Sequence, residues 1–213
     1  MKIIVIVSAD AEWEGVKPLF PDVAFRNTPF GETADVVLGS WNLTLFHSGW
    51  GKIASAASMQ YVIDHYSPDL IVNLGTCGGF DGIAERGDLI LVDRAIVYDI
   101  VELMDTSDVT DYYASSLDLS WLAEPHPFPA RRGLIASADS DLLPEKIPFL
   151  KASGALAADW ESAALAWVAT RNNRRILILR MVSDLVSEHG GEAYGDIEIF
   201  KERSRKIMRL LFE

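Results

Sequence analysis

Strand-like and helix-like segments alternate along almost the whole chain. Near-continuous apolar runs such as "KIIVIVSA" and "DLIVNLG" are typical of strands that are covered on both faces. Segments with helical spacing come between such runs, among them "GKIASAASMQYVIDHY" and the final "GDIEIFKERSRKIMRLLF". This alternation predicts an α/β sandwich built around a mostly parallel sheet. Because the chain has neither an internal repeat nor a linker, we expect residues 1–213 to form one domain.

Residues 102–130 do not follow this alternation. The stretch "DTSDVTDYYASS" mixes polar and aromatic residues, and "AEPHPFPA" contains three prolines. We expect a long irregular excursion here, with a short helix near Leu117 to Leu122. Excursions of this length within compact domains are usually functional or disordered.

The charge balance excludes several kinds of partner. Asp and Glu number 31 against 19 Lys and Arg, which gives a formal net charge of -12. Such a chain repels phosphate backbones, so we expect no nucleic-acid binding. The longest apolar run falls short of the roughly 20 residues that span a bilayer, so no membrane contact is expected. The single cysteine, Cys77, fits a reducing compartment, and we predict a cytoplasmic protein.

Four predicted strand ends share small or polar residues. They are Ser8-Ala9-Asp10, the glycine-rich Gly75 to Gly79, Ser137-Ala138-Asp139 and Ser183-Asp184. Ligands bind at the carboxyl ends of strands in open α/β sheets, so these four ends suggest one shared crevice. Turn formation and helix capping also explain each end separately, and the pattern alone leaves both interpretations open.

Three further motifs admit two interpretations each. In "NLGTCGG" the glycines, Gly78 among them, let the backbone approach a ligand or simply make a tight turn. In "SGWGK" a helix N-terminus could hold an anion, or Lys52 could extend into solvent at the start of an ordinary helix. In "DWES" Glu161 is either a favourable charge at a helix start or a ligand for a sugar diol, with Trp160 as an apolar wall.

The four histidines give no sign of a metal site. No two of them have metal-ligand spacing, and no serine lies in a nucleophile elbow. We therefore expect neither a bound metal nor a serine-hydrolase triad.

The motifs "SGWGK", "NLGTCGG", "GDLILVD", "DWESAA" and "RMVSD", in this order, resemble the purine nucleoside phosphorylase/nucleosidase superfamily. Within it the chain is most similar to the methylthioadenosine/S-adenosylhomocysteine nucleosidase branch. The resemblance covers most of the chain and is weakest at residues 100–130. It implies a three-layer α/β/α sandwich with a central mixed, partly barrel-like sheet, a homodimer, a small nucleoside as substrate and no cofactor.

The resemblance also implies catalytic roles. Asp184 would be the general acid that protonates N7 of a leaving purine, and Ser183 and Arg180 would orient it. Glu12 would position or deprotonate the attacking water, and Thr76 stands where the family has a serine near that water.

Substrate-binding roles follow from the same resemblance. Glu161 would bind the 2′- and 3′-hydroxyls of the ribose, and Trp160 takes the place of a methionine that packs on the sugar. Leu142 falls where the backbone contacts the base. Asp141 falls where the family has an aromatic residue that stacks on the purine, which leaves the identity of the base open. The divergent residues 102–130 leave the 5′ substituent open.

The residues near the expected water favour hydrolysis over phosphorolysis. A phosphorylase needs cations for its phosphate, yet "SADAEWEG" and "VNLG" contain neither Arg nor Lys. Glu12 lies where phosphate would have to approach and would repel it. Two alternatives remain, a phosphate-dependent purine nucleoside phosphorylase and a non-catalytic nucleoside-binding protein on the same fold.

Overall fold

The computed structural model describes residues 1–104 and 109–213. The strands of this part of the chain are β1 (Ile3–Val7), β2 (Arg26–Asn27), β3 (Glu32–Leu38), β4 (Trp41–His47), β5 (Leu70–Phe80), β6 (Leu89–Val97), β7 (Ser115–Ser116), β8 (Arg131–Ser137), β9 (Ala155–Asp159), β10 (Ile176–Ser187) and β11 (Gly190–Gly191). The α-helices are α1 (Asp10–Val16), α2 (Lys52–Tyr66), α3 (Val109–Tyr113), α4 (Ile147–Ala152), α5 (Ser162–Arg171) and α6 (Ile197–Phe212). Short 3₁₀ turns precede α4 and follow α1.

The strands form one mixed sheet that closes on itself in its central part. The order along the sheet is β11-β10-β6-β8-β9-β5-β1-β4-β3-β2, and β10 also pairs with β5. That extra pairing joins β5, β10, β6, β8 and β9 into a closed ring. Pairs β1–β5, β5–β10 and β6–β8 are parallel, whereas β6–β10 and β5–β9 are antiparallel. This confirms the prediction of an α/β fold with a mixed, partly barrel-like sheet.

Burial on both faces explains why the inner strands are so apolar. All five residues of β1 are buried, and Ile4, Ile6 and Val7 have no exposed surface. Helix α1 packs against α6, and α2 packs against α5. The helices therefore cover strands that have no solvent-facing side, which requires the unbroken apolar runs seen in the sequence.

Strands β5 and β10 are longer than the sequence predicts. The glycine-rich segment and the Ser183-Asp184 pair lie inside them, so the prediction that both mark strand ends is wrong. The two strands pair from Ile71 with Ile176 to Phe80 with Val186. Glycine makes this close pairing possible, since a Cβ on Gly79 would lie 2.7 Å from Cγ1 of Val182. The glycines thus serve the approach of two strands rather than a tight turn.

The helix predicted near Leu117 to Leu122 is also wrong. Leu117 and Leu119 are buried in the core, and the Leu117 amide donates to the Asp93 carbonyl at 2.8 Å. Leu117 and Leu119 therefore belong to the segment after β7, which continues from the pairing of β7 with β6. A short helix, α3, forms earlier, and residues 105–108 of the excursion lie outside the described part of the chain.

Across the described ranges, no helix combines the length and the apolar character that crossing a membrane requires.

Candidate active site

A cavity of about 1040 Å³ collects almost all the predicted site residues. Its walls come from α1, β5, the segment after β8, the β9–α5 connection, β10 and the start of α6. The predicted residues that line it are Glu12, Thr76, Gly78, Asp141, Leu142, Trp160, Glu161, Ser183 and Asp184. Arg180 lies behind this wall and is fully buried.

Asp184 owes its position to an irregularity in β10. The register with β5 shifts between Val182 and Asp184, which leaves Ser183 out of the regular pairing. Both Ser183 and Asp184 are buried, and the Ser183 hydroxyl lies 2.7 Å from Oδ1 of Asp184. Burial raises the pKa of Asp184 above its ordinary value, against the opposing effects of the Ser183 hydrogen bond and the Arg203 charge. Asp184 therefore loses its proton less readily than an ordinary aspartic acid.

Arg180 lies among other carboxylates and not beside Asp184. Its Nε is 3.0 Å from Oδ2 of Asp159, its Nη2 is 3.5 Å from Oε2 of Glu161, and its Nη1 is 3.9 Å from Oε1 of Glu12. Burial lowers the pKa of Arg180, but the three carboxylates raise it by more than burial lowers it, so the pKa lies above its ordinary value. The role of Arg180 in orienting Asp184 stays a prediction, since the described hydrogen bonds and ion pairs of Arg180 go to Ser162, Thr76 and these three carboxylates.

Glu12 is held in place by Thr76. The carboxylate is buried on the inner side of α1, and its Oε1 accepts hydrogen bonds from the Thr76 amide at 2.5 Å and the Thr76 hydroxyl at 2.8 Å. Oε2 accepts a longer bond from the Ala9 amide at 3.3 Å. A Cβ on Gly75 would lie 2.9 Å from Oε1, so glycine at that position leaves space for the carboxylate.

Two carboxyl groups of the protein occupy the N-terminus of α2. The Gly51 amide donates to Oε1 of Glu161 at 3.1 Å, and the Lys52 amide donates to Oδ1 of Asp139 at 2.6 Å. The Lys52 ammonium is paired with Asp99 and does not extend freely into solvent. The first amides of the "SGWGK" helix thus bind carboxyl groups of the protein itself, and Lys52 is held in an ion pair.

Glu161 has a strongly altered ionisation. Burial is the main cause, the nearby Asp159 and Glu12 add to it, and Arg180 opposes it; together they raise the pKa of Glu161 to about 8. The side chain faces the cavity from the residue that immediately precedes α5. Glu161 makes no side-chain capping hydrogen bond to α5, and its role as a ligand of a sugar diol stays a prediction.

Several lining residues have no signal in the sequence analysis. Trp50 packs on Trp160 with ring centroids 4.9 Å apart. Tyr194 donates from its hydroxyl to the Leu142 carbonyl at 2.8 Å, and burial raises the pKa of Tyr98 to about 12. These aromatic residues come from separate loops, so no spacing rule connects them. Among the described residues, no group of three His, Cys, Asp or Glu side chains is arranged to hold a metal ion.

Comparisons with known proteins agree with this architecture. The family described as the phosphorylase superfamily matches residues 2–213. A 5′-methylthioadenosine/S-adenosylhomocysteine nucleosidase of Geobacillus kaustophilus is 28% identical over 183 residues, which cover 76% of this chain and 74% of the relative. One of Staphylococcus aureus is 28% identical over 181 residues, which cover 79% and 78%.

The solved structures show the same fold. The nucleosidase of S. pneumoniae, bound to the transition-state inhibitor MT-ImmA, superposes with a TM-score of 0.78 at 24% identity and covers 100% of this chain and 97% of its own. The nucleosidase of Streptococcus pyogenes, bound to 5-methylthiotubericidin, gives a TM-score of 0.78 at 23% identity, with 100% and 96% covered.

Proposed function

Because the chain belongs to the phosphorylase superfamily, we propose that it hydrolyses the N-glycosidic bond of a 5′-substituted purine nucleoside. Methylthioadenosine and S-adenosylhomocysteine, after which its relatives are named, are the first candidates. The observation that carries the proposal is that Asp184, Glu161 and Glu12 line one cavity from three different elements. Each carboxyl group has a different environment, which suits three different tasks.

Asp184 is the proposed general acid. Departure of a purine leaves negative charge on the base, and a positioned acid that protonates it contributes about 10²–10⁴-fold to the rate. The raised pKa of Asp184 favours the protonated form that this task requires. Ser183, at 2.7 Å, fixes the carboxyl group by a hydrogen bond to Oδ1.

Glu161 is the proposed ligand of the ribose. In its ionised form, which a pKa of about 8 makes dominant above that pH, Glu161 can accept hydrogen bonds from two neighbouring hydroxyls at once, and the Gly51 amide holds it from the other side. Trp160 and Trp50 form an apolar wall beside it. Such a wall would pack on the sugar ring or on the 5′ substituent.

Glu12 is the proposed ligand of the attacking water. Thr76 saturates Oε1 with two hydrogen bonds, whereas Oε2 accepts only the longer bond from Ala9 among the described contacts. We infer that Oε2 is the atom that accepts a proton from the water while the oxocarbenium-like sugar forms. In this scheme water attacks the sugar directly, and no side chain forms a covalent bond to it.

Water is favoured over phosphate as the nucleophile because the groups that would bind phosphate are occupied. Glu161 and Asp139 accept from the first amides of α2, and three carboxylates surround Arg180. Among the described residues, the cations that line the cavity are Lys201 and Arg205 of α6. Helix α6 packs against α1, but the described ion pairs bring neither cation to Glu12, so phosphate that approaches Glu12 would meet its negative charge.

The decisive experiment measures release of free base from methylthioadenosine and S-adenosylhomocysteine in phosphate-free buffer. We expect turnover without phosphate and no acceleration when phosphate is added. Strict phosphate dependence would identify a phosphorylase instead. Binding without turnover under either condition would identify a nucleoside-binding protein.

We also infer a homodimer. Trp50 and Ile53 at the start of α2 are 58% and 83% exposed, and Leu103 and Met104 after β6 are almost fully exposed. The Lys52–Asp99 ion pair joins the start of α2 to the segment after β6, and Trp50 also lines the cavity. Covering such exposed apolar residues favours association. Light scattering coupled to gel filtration tests this, and a monomer at micromolar concentration would contradict it.

A further inference from the structure

Asp159 is a buried carboxylate of the cavity wall that has no part in the mechanism above. It is the last residue of β9, and its side chain is 2% exposed. It lines the cavity two residues before Glu161. A buried carboxylate is costly unless it is paired and hydrogen-bonded, so the partners of Asp159 indicate what it is for.

Both carboxylate oxygens of Asp159 are occupied by donors. Oδ1 accepts from the Ser137 hydroxyl at 2.5 Å and from the amides of Glu161 and Ser162 at 3.3 and 3.2 Å. Oδ2 accepts from the amide and the hydroxyl of Ser162 and lies 3.0 Å from Nε of Arg180. Asp159 thus joins the backbone beneath Glu161 to the guanidinium of Arg180.

Arg180 receives a fixed orientation from these contacts. Its Nε also donates to the Ser162 hydroxyl at 2.9 Å. The Nε atom of the planar guanidinium is thus held by both Ser162 and Asp159. Fixing Nε fixes the two Nη atoms, which face Glu161 at 3.5 Å and Glu12 at 3.9 Å. Nη1 also donates to the Thr76 carbonyl at 3.4 Å, whereas Nη2 is buried and has no hydrogen-bond partner among the described residues.

We propose that Asp159 is a positioning residue of the nucleosidase reaction, acting through Arg180 on both Glu161 and Glu12. This inference rests on the proposed function. Asp159 touches neither the bond that breaks nor the base. It holds the cation that sets where the ribose-binding carboxylate and the water-binding carboxylate stand relative to each other.

The charge of Asp159 provides a signature that packing alone would not give. Burial is the main cause of the raised pKa of Glu161, and repulsion by Asp159 adds to it. Removal of the Asp159 charge should therefore lower the pKa of Glu161. The pH dependence of kcat/KM reports the ionisation of groups in the free enzyme, so this change is measurable.

The test compares Asp159→Asn with Ser137→Ala. Asn keeps the shape and one acceptor oxygen but loses the charge that binds Arg180, whereas Ser137→Ala removes a hydrogen bond to Asp159 and leaves its charge. We expect kcat/KM to fall about 10²-fold in Asp159→Asn, the loss typical of a misplaced catalytic group. The limb of the pH profile due to Glu161 should move to lower pH in that variant and stay in place in Ser137→Ala.

A second variant covers the case in which Asp159→Asn does not fold. Ser162→Ala removes only the hydroxyl that Asp159 and Arg180 share, and it should lower kcat/KM about tenfold. If Asp159→Asn or Ser162→Ala keeps kcat/KM within about threefold of the parent, the positioning role is refuted. Equal losses in Asp159→Asn and Ser137→Ala with an unmoved pH limb also refute it. Failure of the proposed function would look different, because the parent protein itself would then release no base.

Discussion

At the scale of single residues, Asp184 is the side chain whose chemistry can be isolated most cleanly. Asp184→Asn keeps the size of the side chain and its bond to Ser183 but cannot deliver a proton. We expect kcat to fall by about 10²–10⁴-fold while nucleoside binding is retained. Rapid-mix assays of base release with calorimetric binding measure both, and a variant with parental turnover would remove Asp184 from the mechanism.

Glu161 should act on binding and turnover together. Glu161→Gln cannot accept from both ribose hydroxyls, so we expect KM to rise and kcat to fall in the same variant. Steady-state kinetics with methylthioadenosine measures this. Parental values for both constants would show that Glu161 serves the start of α5 and not the sugar.

The same residue predicts how stability depends on pH. The pKa of Glu161 is raised in the folded state from 4.5 to about 8, so folding favours its protonated form. Its stabilising contribution is present below pH 4.5 and is lost as the pH rises to about 8. The Tm of the parent should therefore decline relative to that of Glu161→Gln across this window. A constant difference in Tm between the parent and Glu161→Gln from pH 4.5 to 8 would contradict the raised pKa.

At the scale of elements, the sequence predicts where strands and helices lie but not how far β5 and β10 extend. Their apolar cores are evident from composition, since burial on both faces requires such runs. Their continuation through glycines, serine and aspartate depends on a partner strand that is about 100 residues away in the chain. A local pattern carries no information about that pairing, and strand propensity alone predicts that both strands end early.

The close approach of these strands gives a prediction about stability. Gly79→Ala places a Cβ 2.7 Å from Val182, whereas Gly78→Ala places one at 3.3 Å from the tip of Val186. We expect Gly79→Ala to lower the free energy of unfolding by about 1–3 kcal/mol and Gly78→Ala to lower it by less. Urea denaturation of the two variants measures the difference. Equal free energies of unfolding would mean that β10 shifts at little cost to accommodate a methyl group at position 79.

The candidate site was predictable in part at this scale. Glu161 and Asp184 could be named because each lies in a motif that resembles a family pattern, and Glu12 because of its place after the first strand. Asp159 and Tyr194 could not, because their roles come from contacts with Arg180 and Leu142 that no spacing rule connects. The position of Arg180 in a strand was predictable, but which carboxylates it meets was not.

At the scale of the whole molecule, the closed ring of strands could not be derived from periodicity. Alternating strands and helices predict a layered, mostly parallel sheet, whereas closure needs β10 to pair with β5 and β6 at once. Only the resemblance to a family implied it. The expectation that residues 1–213 form a single domain stays a prediction.

The net charge of the molecule predicts that nucleosides with a negatively charged 5′ group are poor substrates. The chain carries a net charge of -12, and the carboxyl groups that line the cavity outnumber its cations, Lys201 and Arg205. A 5′-phosphate would meet this negative field, since like charges brought together cost several kcal/mol. We expect adenosine 5′-monophosphate to be hydrolysed more than about tenfold less efficiently than adenosine. Comparable values of kcat/KM for the two compounds would contradict this.

The occupied N-terminus of α2 has a consequence for redesign. An engineer who wished to convert this protein into a phosphorolytic enzyme could not simply add an arginine near Glu12. The amide of Lys52 would first have to be freed from Asp139, and Glu161 would need a new anchor in place of Gly51. Each step taken alone removes a hydrogen bond from Glu161 or Asp139 before any phosphate can bind. A change of nucleophile would therefore require several simultaneous substitutions, and single-step laboratory evolution should rarely reach it.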